Sequence, residues 1–176
     1  MTPERAAVRL GAAFFRWRSL TPLPLLAVGL VLGRPTPGTL LLGVVATCLG
    51  EFIRAWSVAH IGARSRTRGD SVGPLVVSGP FARCRNPIYL GNLLVGAGII
   101  WATNVPLLFL AFVLLFVFQY SLVVVWEESR LAAAHGDEFR AYCETAPRWF
   151  PRGRVPRTWA GQTPFGLRAV LRSERS

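Results

Sequence analysis

Arg85, Asn86, Pro87 and Tyr89 fall together in the segment RNPIYLGN, and a glutamate pair, Glu127 and Glu128, follows further along the chain. A guanidinium presents a fork of donors to an anionic group, carboxylates attract a cation, and an aromatic ring offers a flat face to either a ring or a cation. RNPIYLGN lies where a basic loop runs into a hydrophobic span. Polar side chains buried at a membrane boundary are costly unless paired, so the surrounding stretch from Leu75 to Asn92, LVVSGPFARCRNPIYLGN, reads as a ligand cradle.

The elements that must position this cradle are membrane helices. In 176 residues, 52% are hydrophobic and only 16% charged, and the mean hydropathy is +0.39. This composition excludes an ordinary soluble domain and predicts an all-α polytopic membrane protein. The net charge of +11 is carried by arginine alone, since no lysine occurs. Such a charge suits nucleic acid or anionic lipid, and the hydrophobic runs assign it to the bilayer. Measured against the roughly 20 residues that cross a bilayer, four apolar segments stand out: Leu20 to Leu32, Thr39 to Ala59, Ile88 to Thr103 and Pro106 to Trp126. Phe14, Phe15 and Trp17 precede the first and suit an interface. Glu51 and Arg54 lie three residues apart inside the second and are placed to pair. The short turn from Thr103 to Pro106 forces the third and fourth into an antiparallel hairpin.

Arginines cluster before the first segment, between the second and third (Arg64, Arg66, Arg68, Arg83, Arg85), and after the fourth. Four spans with both termini and the middle loop cytoplasmic satisfy the positive-inside rule almost completely. Glu127 to Ala146 then reads as a cytoplasmic helix that continues the fourth span and stops at Pro147. Residues 1–151 are expected to form a single membrane domain and residues 152–176 a basic cytoplasmic tail, whose stretch Gly166 to Arg175 is either solvated or laid on anionic headgroups. No small-residue cleavage site follows Gly33, which disfavours a signal peptide.

The hairpin sets depths. Gln119 and Tyr89 are equally far from the turn, and Glu127 lies about 12 Å further toward the cytoplasm at 1.5 Å per residue. Glu127 and Glu128 are therefore expected beside the loop that carries Phe81, Arg83 and Arg85, with Gln119 and Tyr120 lining the upper part of a cytoplasmic pocket. Each element has a plainer reading as well. The glutamates suit a helix exit, Pro87 a helix start, and Gly91, Gly96 and Gly98 close helix packing. Cys48, Cys84 and Cys143 are odd in number and widely spaced, which predicts reduced thiols rather than a disulfide framework, and His60 and His135 lack metal-ligand spacing.

In combination these motifs resemble the integral-membrane methyltransferases related to isoprenylcysteine carboxyl methyltransferase and phospholipid N-methyltransferases. The resemblance rests on LVVSGPFARCRNPIYLGN before the hairpin and EESRLAAAHGDEFRAYCETAPRWFP after it, covering about residues 75–151. Gly79 and Phe81 stand for the family's GxY-like element, with Phe in place of Tyr. Arg85, Asn86, Pro87 and Tyr89 match its arginine-histidine-proline-x-tyrosine core, with Asn86 at the histidine position, and Glu127 and Glu128 match its glutamates. His135-Gly136 replaces phenylalanine-glycine, and Phe139 and Tyr142 fall where aromatics recur. Val123 stands where the prenylcysteine enzymes carry an arginine, a departure that argues against a prenylcysteine carboxylate substrate.

The resemblance implies that Leu75, Val76, Phe81, Arg85, Asn86, Tyr89 and Glu127 contact S-adenosylmethionine. It implies methyl transfer to a lipophilic, membrane-embedded acceptor, either a carboxylate or an amine, with Glu128 as the candidate base for an amine. The expected location is a bacterial inner membrane, with no nucleic-acid partner and no metal. Two alternatives stand beside this reading: an NADPH-dependent membrane reductase, and a structural membrane protein whose polar groups only pin the hairpin.

Overall fold

The computed structural model describes residues 3–61 and 72–151. The loop arginines Arg64, Arg66 and Arg68 and the basic tail 152–176 lie outside the described residues. Helices account for the fold: α1 (Pro3–Trp17), α2 (Leu23–Leu32), α3 (Pro37–Ile61), a 3-10 turn (Gly79–Ala82), α4 (Pro87–Ala102) and α5 (Pro106–Thr145). No strand occurs among the described residues. The chain divides into two compact units, one taking residues up to Glu51 with Gly91–Ser129, the other Phe52–Leu90 with the chain from Arg130.

Helix boundaries follow local chemistry. At the start of α3, Thr36 Oγ1 accepts from the Thr39 amide at 3.2 Å and Thr39 Oγ1 accepts from the Thr36 amide at 2.9 Å, a reciprocal cap with Pro37 at the first helical position. Proline likewise opens α4 and α5, as expected at Pro87. The turn between those two holds Asn104 at φ 58°, a left-handed conformation that asparagine tolerates better than most residues. Arg34 N donates to Thr103 O at 2.9 Å and Asn104 Nδ2 to Arg34 O at 3.1 Å, so this turn and the α2–α3 link satisfy each other.

Two helices, α3 and α5, are long and apolar enough to cross a membrane. α2 has 10 residues and α4 has 16, both short of the roughly 20 that a full crossing takes. α5 extends well past Trp126, as the sequence predicts, but is interrupted at Gly136, whose φ of 50° and ψ of −119° no L side chain adopts without strain. Phe14, Phe15 and Trp17, expected at an interface, belong to an amphipathic helix, α1.

In the first unit the α4–α5 hairpin closes on nested contacts. Trp101 meets Phe109 edge-on at 5.1 Å, Phe112 occupies the space a side chain at Gly96 would need, and Asn92 Nδ2 reaches Tyr120 Oη at 3.4 Å. α3 packs on α4 through two glycine pairs. A Cβ on Gly43 would lie 2.6 Å from the Gly98 carbonyl oxygen, and one on Gly50 would lie 2.7 Å from that of Gly91. Gly43 and Gly50 are seven residues apart, as are Gly91 and Gly98, and the pairs match in antiparallel order. Two whole turns thus share a backbone-to-backbone seam, the packing that small residues allow where lipid supplies no hydrophobic drive. Gly98→Val is expected to force α3 and α4 apart and lower stability by about 1–3 kcal/mol, read as a drop in thermal midpoint in detergent.

Candidate functional site

The cradle is built in the second unit from the loop 75–86, the start of α4 and the end of α5. Val77, Phe139, Tyr142 and Ala146 form a buried cluster, with Leu75, Leu131 and Cys143 packed against it. Phe81 and Tyr89 are also buried. Tyr142 Oη donates to Phe81 O at 2.8 Å, which fixes the 3-10 turn against the end of α5. His135 Nε2 meets Gly73 O at 3.0 Å, and because a carbonyl only accepts, that nitrogen carries the proton. His60 Nδ1 faces Trp56 O at 2.9 Å and is protonated for the same reason. The His60 ring lies so close to Gly79, which has φ 60°, that no side chain fits there.

The polar heart of the segment is spent largely on the chain itself. Arg85 N donates to Pro147 O at 2.9 Å, Asn86 Nδ2 to Arg148 O at 2.9 Å, and Cys84 Sγ to Trp149 O at 2.7 Å. Three successive carbonyls beyond the end of α5 therefore receive donors from three successive residues of the loop. Arg85 Nη1 adds a longer contact to Cys143 O at 3.4 Å, at the last turn of the helix. Asn86 is 8% exposed, and its backbone carbonyl accepts from Tyr89 N and Leu90 N to start α4.

The expected cofactor residues Leu75, Val76, Phe81, Arg85, Asn86 and Tyr89 all fall in this second unit, Leu75, Val76 and Arg85 being half-buried. Glu127 and Glu128 stand half-buried on α5 in the first unit. Gln119 and Tyr120, expected along the upper part of a pocket, are both buried in the first unit. Thr21 Oγ1 lies 2.6 Å from Gln119 Oε1 and 3.2 Å from Arg18 O, and one hydroxyl proton cannot serve both. Turning the Gln119 amide over lets Nε2, otherwise a buried donor without a partner, donate to Thr21 while Thr21 donates to Arg18. Tyr120 stacks on Phe116 at 4.1 Å. An apolar groove of about 210 Å³ in the same unit, lined by Leu42, Ala46, Ala97, Gly98, Trp101 and Phe109, contains none of the expected cofactor residues.

Sequence reasoning did not single out Cys84 or the carbonyls of 147–149. The available signal was Pro147, which stops the helix and starts an irregular segment whose backbone groups must find partners elsewhere. Burial pushes the Cys84 thiol up from its ordinary value, outweighing the Asn86 amide and the nearby Arg85 charge, which pull it down. The stability this thiol contributes is intact below the unfolded value near 9.0 and is lost as pH rises through the higher folded value. Denaturation midpoints are expected to fall across that alkaline window, and Cys84→Ser should flatten the fall. Asn86→Ala, which leaves Arg148 O without its donor, should cost about 1–3 kcal/mol in chemical denaturation.

No solved structure matches the chain. Among curated proteins, the cobalt-zinc-cadmium resistance protein CzcN of Cupriavidus metallidurans is 32% identical over 117 residues, which cover 66% of this chain and 51% of that protein. The nickel-cobalt-cadmium resistance protein NccN of Alcaligenes xylosoxydans xylosoxydans is 32% identical over 116 residues, covering 64% and 48% respectively. The chain thus spans about half the length of the curated relatives it matches. The phospholipid methyltransferase family matches residues 39–138, from the start of α3 to just beyond the break in α5, a span that takes in the glycine seam, the RNPIYLGN segment and the glutamate pair. On this match, which covers more than half of its residues, the chain belongs to the phospholipid methyltransferase family.

Proposed function

We propose that this protein transfers a methyl group from S-adenosylmethionine to a lipophilic acceptor held in the bilayer. The observation that carries the reading is the family match across residues 39–138, which includes the segment that the structure builds into a stapled loop. Bound S-adenosylmethionine supplies an electrophilic methyl on a sulfonium, together with a carboxylate, an ammonium and an adenosine. The donor set suits those groups. Arg85 provides charge for the carboxylate, Glu127 for the ammonium, Phe81 and Tyr89 provide flat apolar faces, and Asn86 Oδ1 accepts a hydrogen bond. Leu75 and Val76 add apolar wall.

Displacement at a sulfonium disperses charge, so the protein's part is to orient the reactants and exclude water. If the acceptor is an amine, a proton must leave, and Glu128 is the base we assign. If it is a carboxylate, no base is needed. The four-span arrangement, with both termini and the middle loop cytoplasmic in a bacterial inner membrane, belongs to the same proposal. Arginine asymmetry supports it, with α2 and α4 completing the crossing through their flanking residues.

The metal-resistance names of the relatives are compatible with this chemistry. Among the described residues no group of three or more His, Cys, Asp or Glu comes together to hold a metal ion. Methylation of an amine to the quaternary stage removes its lone pair, and methylation of a carboxylate removes its charge. Either product is a poorer ligand for a divalent cation than its precursor.

Calorimetry on the intact protein in detergent should show S-adenosylmethionine binding, weakened by about tenfold or more in Glu127→Ala and Tyr89→Ala, in line with loss of a charged hydrogen bond or an aromatic face. No binding to the wild type would overturn the proposal. A thermal shift given by NADPH instead would favour the reductase. Membranes incubated with methyl-labelled cofactor should place label in the lipid extract. Glu128→Gln should slow that labelling with a changed pH profile for an amine acceptor and leave it unaltered for a carboxylate.

A further inference from the structure

α1, PERAAVRLGAAFFRW, lies outside the region matched by the family. At roughly 100° per residue, Arg5, Arg9 and Arg16 fall within about 40° of one another on one stripe. All three are exposed. Gly11, Phe14 and Phe15 lie on the other side, and there the helix meets α5. The Leu122 carbonyl oxygen and Trp126 Cβ approach Gly11 so closely that no side chain fits. Phe14 packs edge-on to Phe118 at 5.7 Å and Phe15 tilts over Trp126 at 4.7 Å.

These contacts fix the direction of α1. Phe14 and Phe15 are neighbours, yet their partners lie eight residues apart on α5, about 12 Å along its axis. Two helices lying side by side would match adjacent residues to partners within one turn. α1 therefore crosses α5 steeply. The crossing is at Leu122, about 24 Å from the start of α5 at Pro106. In a hydrocarbon layer about 30 Å thick, that level is close to the boundary on the arginine-rich side.

A helix that crosses a membrane span at this depth lies near the plane of the interface. Its third face agrees. Leu10 and Trp17, 51% and 57% exposed, sit together on the flank between the packed side and the arginine stripe. An apolar flank with an indole beside a basic stripe matches the layered chemistry of a leaflet, with acyl chains below and phosphates above. Arg18 is held apart from this stripe, donating to Phe15 O at 2.6 Å with its guanidinium 3.8 Å from the centre of the Phe15 ring.

We propose that α1 is an in-plane anchor that recognises anionic phospholipid headgroups through Arg5, Arg9 and Arg16 while Leu10 and Trp17 enter the acyl region. The inference uses the reading of α5 as a span but not the methyl-transfer activity, so its failure would leave that activity open. The test reconstitutes the full chain in mixed phosphatidylcholine–phosphatidylglycerol vesicles and measures the preference of its boundary lipid for spin-labelled phosphatidylglycerol over spin-labelled phosphatidylcholine. The triple variant R5Q/R9Q/R16Q should lower that preference by about threefold or more, given the attraction of each arginine to an anionic surface. The charge-preserving R5K/R9K/R16K should keep most of it. Equal preference in wild type and the Gln variant would overturn the proposal.

A second measurement does not depend on the folding of the charge variants. The fluorescence difference between wild type and Trp17→Phe should be quenched more by lipids brominated near the headgroup than by lipids brominated near the chain end. Absence of quenching, or the reverse order, would overturn it.

Discussion

Chain that has left a helix no longer has intrahelical partners for its carbonyls, and in this protein the loop before α4 supplies donors to the segment that follows α5. Pro147, Arg148 and Trp149 lie just past the end of α5, and their three carbonyls are taken by Arg85 N, Asn86 Nδ2 and Cys84 Sγ. Unsatisfied backbone groups are costly wherever water is scarce, so the two segments stay together or both are penalised. The other features of the second unit depend on this clasp. It brings Tyr142 within reach of Phe81 O, gathers Val77, Phe139, Tyr142 and Ala146 into a cluster, and leaves Asn86 O to begin α4.

The clasp also gives a physical account of Asn86 at a position where the resembling enzymes carry histidine. An amide carries its donor on a short stem, so the side chain can tie down Arg148 without leaving the loop. Cys84 is the complement, a buried thiol whose proton is used structurally and whose raised ionisation keeps it out of nucleophilic chemistry.

The first unit solves a different problem. Between helices surrounded by lipid there is little hydrophobic gain in association, so close backbone approach and a few internal hydrogen bonds must suffice. Gly43 against Gly98 and Gly50 against Gly91 give the approach, and Asn92 with Tyr120 and Thr21 with Gln119 give the polar links. Gln119 and Tyr120 on α5 thus contribute to helix packing.

Whereas α1 and the break at Gly136 came only with the structure, the sequence by itself placed the helices α2 to α5 to within a few residues, because prolines and the lengths of apolar runs act close to where they stand. It also determined the α4–α5 hairpin, since a turn as short as Thr103 to Val105 leaves the chain no other course. The family resemblance was legible for the same reason, as motifs in a fixed order. What only the tertiary structure decided was which distant residues meet. Asn86 and Arg148 are 62 positions apart and Thr21 and Gln119 are 98 apart, and no local periodicity encodes either pairing. The matching of the glycine pairs and the crossing of α1 over α5 depend on how whole helices pack, a balance of shape and hydrogen bonding that composition and spacing leave undetermined.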